Sequence, residues 1–223
     1  MNSNLIVSHD RAICLVGGSR ILESAFSAAK LFADVFVAVD SGADFLLARD
    51  LLPMAVVGDF DSLSDAARHR FGDRLYHISE QSTTDFEKAL SRVAAPCVIA
   101  LGFTGGRLDH LLAVLGTMVR QPVPPVLLVD QDDASFVAQP GETVLDLARE
   151  TRISVMPVTQ CRAVSLSGVV WSFADQAMSL DTFTSPSNAA LGGRVTLTTT
   201  DPVLVTLPRA QLADAVKAVS RAG

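Results

Sequence analysis

From Ala12 to about Asp130, short wholly apolar runs alternate with segments whose apolar residues recur every three or four positions. Residues 12–16, 35–39, 54–57, 97–101 and 125–129 read as strands, with a shorter one at 74–78. Between them, Ile21, Leu22, Ala25, Phe26 and Ala29 fall at helical spacing. A helix through Phe45, Leu46 and Ala48 must stop before Pro53, which cannot continue it. Further helices run through Ala67 and Phe71, over 85–93 and over 108–119. Ser62 or Ser64, and Thr83 or Thr84, stand where a helix cap is needed. Strands apolar on both faces, alternating with helices, predict a mostly parallel, Rossmann-like α/β/α domain over residues 1–132.

Beyond Asp130 the pattern changes. Short β-rich runs at 134–138, 152–158, 163–166, 195–199 and 203–207 are separated by polar or Gly/Pro turns. They predict a smaller antiparallel β-sandwich or roll over residues 133–223. A last amphipathic helix is expected over 209–221, through Leu212, Val216 and Val219.

Composition narrows the class. Of the 223 residues, 49% are apolar and 19% charged, so the chain can fill a real core, and its length suits one large domain or two smaller ones. The net charge is −6 and no basic run occurs, which argues against a nucleic-acid partner. Cys14, Cys97 and Cys161 lack zinc-type spacing and read as buried thiols in a reducing compartment. The polar stretch up to Arg11 has no signal-peptide pattern, and no apolar run reaches the roughly 18–20 residues that span a bilayer. The expectation is a cytoplasmic protein without membrane contact.

Chemistry concentrates where predicted strands end. Gly58-Asp59-Phe60-Asp61-Ser62 follows the run 54–57, and Thr84-Asp85-Phe86-Glu87-Lys88 and Gly105-Gly106-Arg107-Leu108-Asp109-His110 stand at similar transitions. Gly17-Gly18 and Asp40-Ser41-Gly42 also end strands, so five loops point at the carboxyl edge of one sheet, where such sheets bind ligands. Gathered carboxylates repel one another unless a cation sits among them, which points to Mg2+ and a phosphorylated substrate. In an extended loop, Asp59 and Asp61, two residues apart, point the same way and reach one ion. Asp85 opens its helix, with Lys88 one turn on, either a phosphate contact or an ordinary surface lysine. Gly105 and Gly106 let backbone N–H groups approach an anion, and Arg107 can fork two phosphate oxygens. His110 reads as a structural histidine or a proton relay.

Taken in order and spacing, Asp40-Ser41-Gly42-Ala43, Gly58-Asp59-Phe60-Asp61-Ser62, Thr84-Asp85-Phe86-Glu87-Lys88-Ala89 and Gly105-Gly106-Arg107-Leu108-Asp109-His110 resemble the thiamine pyrophosphokinase family over residues 12–208. The resemblance implies transfer of a pyrophosphoryl group from ATP to the hydroxyl of thiamine, with AMP released. It implies Mg2+ held by Asp59, Asp61 and Asp85, with Asp109 as a fourth active-site acid and Lys88 and Arg107 on phosphate. The ATP side would further involve Asp40, Ser41, Gly42, Thr84, Gly105 and Gly106, with Gln81 near the substrate. Gly17-Gly18 lacks the third glycine of a dinucleotide fingerprint and is either part of that side or a plain strand-to-helix turn. Gly168-Val169-Val170-Trp171 and Ser185-Pro186-Ser187-Asn188 resemble the family's thiamine-side segments. Trp171 would stack on the thiamine ring or anchor the β domain core, and Ser187 or Asn188 would hydrogen-bond the aminopyrimidine, with Ser185 in the same polar segment. A homodimer with active sites shared between subunits is also implied. Ser41 and Val170 depart from the family pattern, at positions usually glycine and often basic. Asp61 and Asp109 are both candidates to accept the alcohol proton. Metal-dependent phosphohydrolysis and non-catalytic nucleotide binding remain the alternative readings of the acids and glycines.

Overall fold

The wholly apolar runs become the central strands of a parallel sheet. In the computed structural model, which describes residues 5–121 and 124–221, the chain forms two compact units. One comprises the residues up to Thr117 with Leu128–Gln131, the other Met118–Leu127 with the residues from Asp132 onward. The elements run β1 (Val7–Ser8), β2 (Ile13–Val16), α1 (Glu23–Lys30), β3 (Val35–Val39), α2 (Gly42–Leu47), β4 (Ala55–Gly58), α3 (Asp65–Arg70), β5 (Leu75–His77), α4 (Asp85–Leu90), β6 (Val93–Ala94), β7 (Val98–Leu101), α5 (Leu108–Arg120) and β8 (Val126–Val129).

Strands β7, β2, β3, β4 and β5 lie side by side in that order, all parallel, with β8 next to β7. Every residue of β2, β4 and β7 is buried. The chain leaves β2 toward β3 and β4, and returns on the other flank as β7. That reversal opens a crevice at the carboxyl ends of β2 and β7, where ligands of such sheets bind. Gly17 and Gly102 cross there: the Gly17 N–H donates to the Leu101 carbonyl at 2.7 Å, and a Cβ on Gly17 would meet the Gly102 oxygen at 2.6 Å.

Gly42 is required for a similar reason. A Cβ there would stand 1.9 Å from the Val16 carbonyl oxygen, so α2 starts directly against the end of β2. Ser64 and Thr84 are the caps realised: their hydroxyls accept from Ala67 N–H at 3.1 Å and Glu87 N–H at 3.3 Å. The helix expected over 85–93 stops at Leu90, because Val93 and Ala94 pair in parallel with β1, in a segment read as polar terminus.

The second unit contains β9 (Asp133–Ala138), β10 (Gly141–Leu147), β11 (Arg152–Pro157), β12 (Cys161–Ser167), β13 (Phe173–Met178), β14 (Ser185–Ala189), β15 (Gly193–Thr199), β16 (Val203–Pro208) and α6 (Leu212–Arg221). Two antiparallel four-strand runs form, β14-β11-β16-β9 and β10-β15-β12-β13. The hydrophobic pattern did not reveal β10, β13 and β14, and all three flank their run rather than sit within it. A flanking strand leaves many side chains in water and tolerates proline, so Phe-Ala-Asp-Gln-Ala-Met and Ser-Pro-Ser-Asn-Ala carry little apolar alternation. The terminal helix begins at Leu212 after a 3-10 turn over Arg209–Gln211, and buries Leu212, Ala215, Ala218 and Val219. All three cysteines are buried, and among the described residues no helix is long and apolar enough to cross a membrane.

The fixed backbone facing Gly42 gives a direct expectation. Gly42→Ala will destabilise the protein by about 3 kcal/mol in chemical denaturation, because neither Val16 nor the helix start can move away. A midpoint equal to wild type would disprove the close crossing.

Candidate active site

Asp40 follows β3, Asp59 and Asp61 follow β4, and Asp85 opens α4. Oxygen atoms of Asp40, Asp59 and Asp61 all lie within 4.8 Å of one another, a spacing that fits a single metal ion. The sequence assigned the metal to Asp59, Asp61 and Asp85 and left Asp40 among the nucleotide-side loop residues. The structure draws Asp40 into the trio, because β3 and β4 are adjacent and in register (Val39↔Val57) and so end side by side.

Asp40 is the most strained of these residues. Its φ is +48°, and its Oδ1 is buried without a hydrogen-bond partner. Burial pushes its carboxyl above the usual aspartate range, and the charges of Asp85 and Asp61 push it further. A buried carboxylate oxygen that no donor meets, facing other carboxylates, has the chemistry of a cation ligand. The residues present therefore fit a divalent ion with oxygen ligands.

The loop between Asp59 and Asp61 is not extended. Phe60 takes φ +67°, a left-handed conformation, and the Asp61 N–H turns back to Asp59 Oδ1 at 3.2 Å. That bond, more than any other influence, holds the Asp59 carboxyl below its ordinary value, with Lys88 and Gln81 adding to it. Gln81 thus acts beside Asp59.

Lys88 is only 2% exposed. Its Nζ donates to Asp85 Oδ1 at 2.9 Å and lies 4.0 Å from Asp59 Oδ2. It does not line the cavity next to the acids, and its ammonium serves two carboxylates. The surface lysine of the alternative reading is not what forms.

The cavity has a volume of about 500 Å³, in the range of ligand sites. Gly17, Gly18, Ser41, Asp61, Thr84, Asp85, Arg107 and His110 contribute to its wall, and Asp40 stands in it too. Ser19 and Phe103 also line it and were not singled out from the sequence; each directly follows or lies next to a strand-end glycine, the one signal that could have found them. Gly42 does not line it, consistent with its packing role, and neither do Gly105 and Gly106.

Asp109 is engaged elsewhere. It accepts a two-point fork from Arg107, Nε to Oδ1 at 3.1 Å and Nη2 to Oδ2 at 2.5 Å. The guanidinium holds the Asp109 carboxyl below its ordinary value and is itself raised by the pair. Both side chains are largely exposed.

In the second unit, Trp171 is 63% exposed, so it is not a core anchor. Asn188 is 2% exposed, and its amide grips the Trp171 backbone at both ends: Oδ1 accepts from Trp171 N–H at 3.2 Å and Nδ2 donates to Trp171 O at 2.9 Å. Nδ2 also reaches Ser185 Oγ at 3.4 Å, and Ser185 is buried. Ser187 is exposed, with φ +57° and its N–H donating to Ser154 Oγ at 3.0 Å. Asn188 and Ser185 therefore form a buried clamp that presents an exposed indole beside an exposed serine.

The chain is similar to known proteins. Residues 28–127 match the thiamin pyrophosphokinase catalytic domain, and residues 142–204 match the vitamin B1 binding domain of the same enzymes. The thiamine pyrophosphokinase of Bacillus subtilis is 25% identical over 182 residues, covering 77% of this chain and 85% of that protein. Thiamin pyrophosphokinase 1 of Caenorhabditis elegans is 23% identical over 189 residues, 77% of each chain. The crystal structure of thiamin pyrophosphokinase from Geobacillus thermodenitrificans superposes with a TM-score of 0.75 at 27% identity, covering 88% of this chain and 96% of that one. The structure from Candida albicans has the same TM-score at 16% identity, with 90% and 92% covered, a likeness of fold. With both domain models matched in order and the acids of the first gathered at one sheet edge, the chain belongs to the thiamin pyrophosphokinase family and carries its activity, formation of thiamine diphosphate by pyrophosphoryl transfer.

Proposed function

We propose that the chain takes the pyrophosphoryl group from ATP, delivers it to the hydroxyl of thiamine and releases AMP, with Mg2+ held by Asp40, Asp59 and Asp61 and with Asp85 beside them. The observation that carries this reading is the buried, partnerless Oδ1 of Asp40 among like charges. Asp40, Asp59 and Asp61 would hold a divalent ion there, which would supply positive charge against the charge that develops on the transferred group.

The chain's own residues supply positioning. Gly17, Gly18, Ser19 and Ser41 line the cavity without bulk and leave room for a nucleotide's phosphates. Arg107 spends Nε and Nη2 on Asp109 and keeps Nη1 to meet a phosphate oxygen, so Asp109 orients the guanidinium. Lys88 offsets the charge of Asp85 and Asp59 from the buried side and holds the two side chains in place. Of the two acids considered for the hydroxyl proton, Asp61 lines the cavity, whereas Asp109 is tied to Arg107 and does not. We assign the proton to Asp61. In this reading Trp171 stacks on thiamine and Ser187 hydrogen-bonds it, with Asn188 and Ser185 holding both in place.

A homodimer with shared sites and a cytoplasmic location belong to the same reading. The dimer is supported by exposed Val170, Trp171 and Leu191, turn and loop residues that flank the Val169–Ala190 bridge. The location is supported by the burial of all three cysteines.

Product analysis tests the whole reaction. With ATP, Mg2+ and thiamine, AMP will appear in step with thiamine consumed. ADP or free phosphate formed without thiamine would instead reveal a hydrolase, and no turnover a nucleotide binder.

Asp61→Asn removes a ligand charge and the proton acceptor together. Turnover will fall by about a thousandfold or more with no loss of melting temperature, and turnover near wild type would refute the role given to Asp61.

Asp40 yields a prediction of opposite sign for stability. Its carboxyl is raised in the fold, so folding is favoured below its unfolded pKa and that advantage is lost as pH rises through the folded value. Ionised Asp40 therefore weighs against folding at neutral pH when no metal is present. Metal-free Asp40→Asn will melt higher than wild type at about pH 7, with the gap closing toward about pH 4, where an ordinary aspartate protonates. The same variant will lose activity. A lower melting temperature at neutral pH would contradict the strain assigned to Asp40.

A further inference from the structure

The turn that makes Asp59 and Asp61 face one point depends on a single peptide plane, that between Phe60 and Asp61. Its N–H end is held by Asp59 Oδ1 at 3.2 Å. Its C=O end, on the opposite side of the planar unit, accepts from Arg68 Nη2 at 2.9 Å. Arg68 also lies over the Phe60 ring, with its guanidinium carbon 5.8 Å from the centroid. The ring is buried, and tilts against His77 at 5.6 Å. A bulky residue at φ +67° is unfavourable and persists only where its surroundings fix it from several sides.

The support reaches further into the fold. Arg68 lies on α3, whose cap Ser64 accepts from Ala67 and from Arg68 through its side chain and carbonyl. Ser64 in turn donates from its N–H and hydroxyl to Asp44 on α2. The guanidinium is thus carried on an anchored helix, and it grips both the backbone and the ring of one strained residue.

We propose that Arg68 is a positioning residue for the metal: by fixing the Phe60 carbonyl it sets the direction of the Asp61 N–H, and through it the convergence of Asp59 and Asp61. Arg68 does not line the cavity. The inference rests on the reading of the aspartate cluster as a metal site.

The test compares wild type, Arg68→Met and Arg68→Lys as full-length proteins. Mn2+ binding without nucleotide is followed by electron paramagnetic resonance, alongside kcat, KM for thiamine and melting temperature. Arg68→Met will weaken Mn2+ binding about tenfold, the usual scale for an outer support of a metal ligand, and will lower kcat with KM for thiamine unchanged. Lysine reaches the carbonyl with one donor but does not cover the ring, so Arg68→Lys will fall between the two, and it carries the test if the methionine variant does not fold. Unchanged Mn2+ affinity in both variants overturns the proposal, as does a loss of melting temperature with Mn2+ affinity intact, which marks a merely structural arginine. Absence of Mn2+ binding by wild type removes the metal reading itself, and this inference with it.

Discussion

Four carboxylates, those of Asp40, Asp59, Asp61 and Asp85, share one strand-end region with a single buried ammonium, Lys88, set against two of them. Much else about the first unit answers to that concentration of charge. Lys88, 2% exposed, balances part of it through its pairs with Asp85 and Asp59. The remainder shows as a raised carboxyl on Asp40 and a buried oxygen with no donor. The fold tolerates this because the strands beneath are buried throughout and hold their ends rigidly. An apolar sheet supplies the stability that the acid cluster withdraws, as sites built for charged ligands generally require.

The second unit uses a polar device for a related purpose. Asn188 is buried and spends its amide on the Trp171 main chain, so an aromatic ring that would gain by burial is held in the open instead. An exposed tryptophan over a satisfied polar clamp is suited to a flat ligand, because the ring needs no rearrangement before stacking. The same division of labour appears around Phe60. There Arg68 and His77 hold Phe60, which does not line the cavity, between the two acids of the cluster.

Particular residues show how far the sequence could be read. The motif around Asp59 and Asp61 was legible because packing alone seldom calls for two acids, one residue apart, at the end of an apolar strand. The extended geometry expected for it was not what forms: Phe60 is left-handed, and the convergence comes from a turned peptide. Asp40 was legible as a loop residue but not as part of the acid trio, since its membership depends on β3 and β4 ending side by side. Lys88 read as a surface or phosphate-facing lysine, and its burial follows from the packing of α4, whose Phe86, Ala89 and Leu90 are buried with it. Gly42 read as a phosphate-side glycine, while the contact that demands it is with Val16, distant in sequence.

By itself the sequence determined the alternation of strands and helices, the change to β-rich texture after Asp130, the loops that carry chemistry and the family they belong to. These follow from local periodicity and from residue types whose spacing along the chain is already meaningful. Only the tertiary structure decided which acids meet, which cation is buried among them, which strands flank their sheets and which side chains hold others in place. Each of those depends on distances between segments far apart in sequence, and such distances are set by strand order and helix packing, which one-dimensional spacing does not contain.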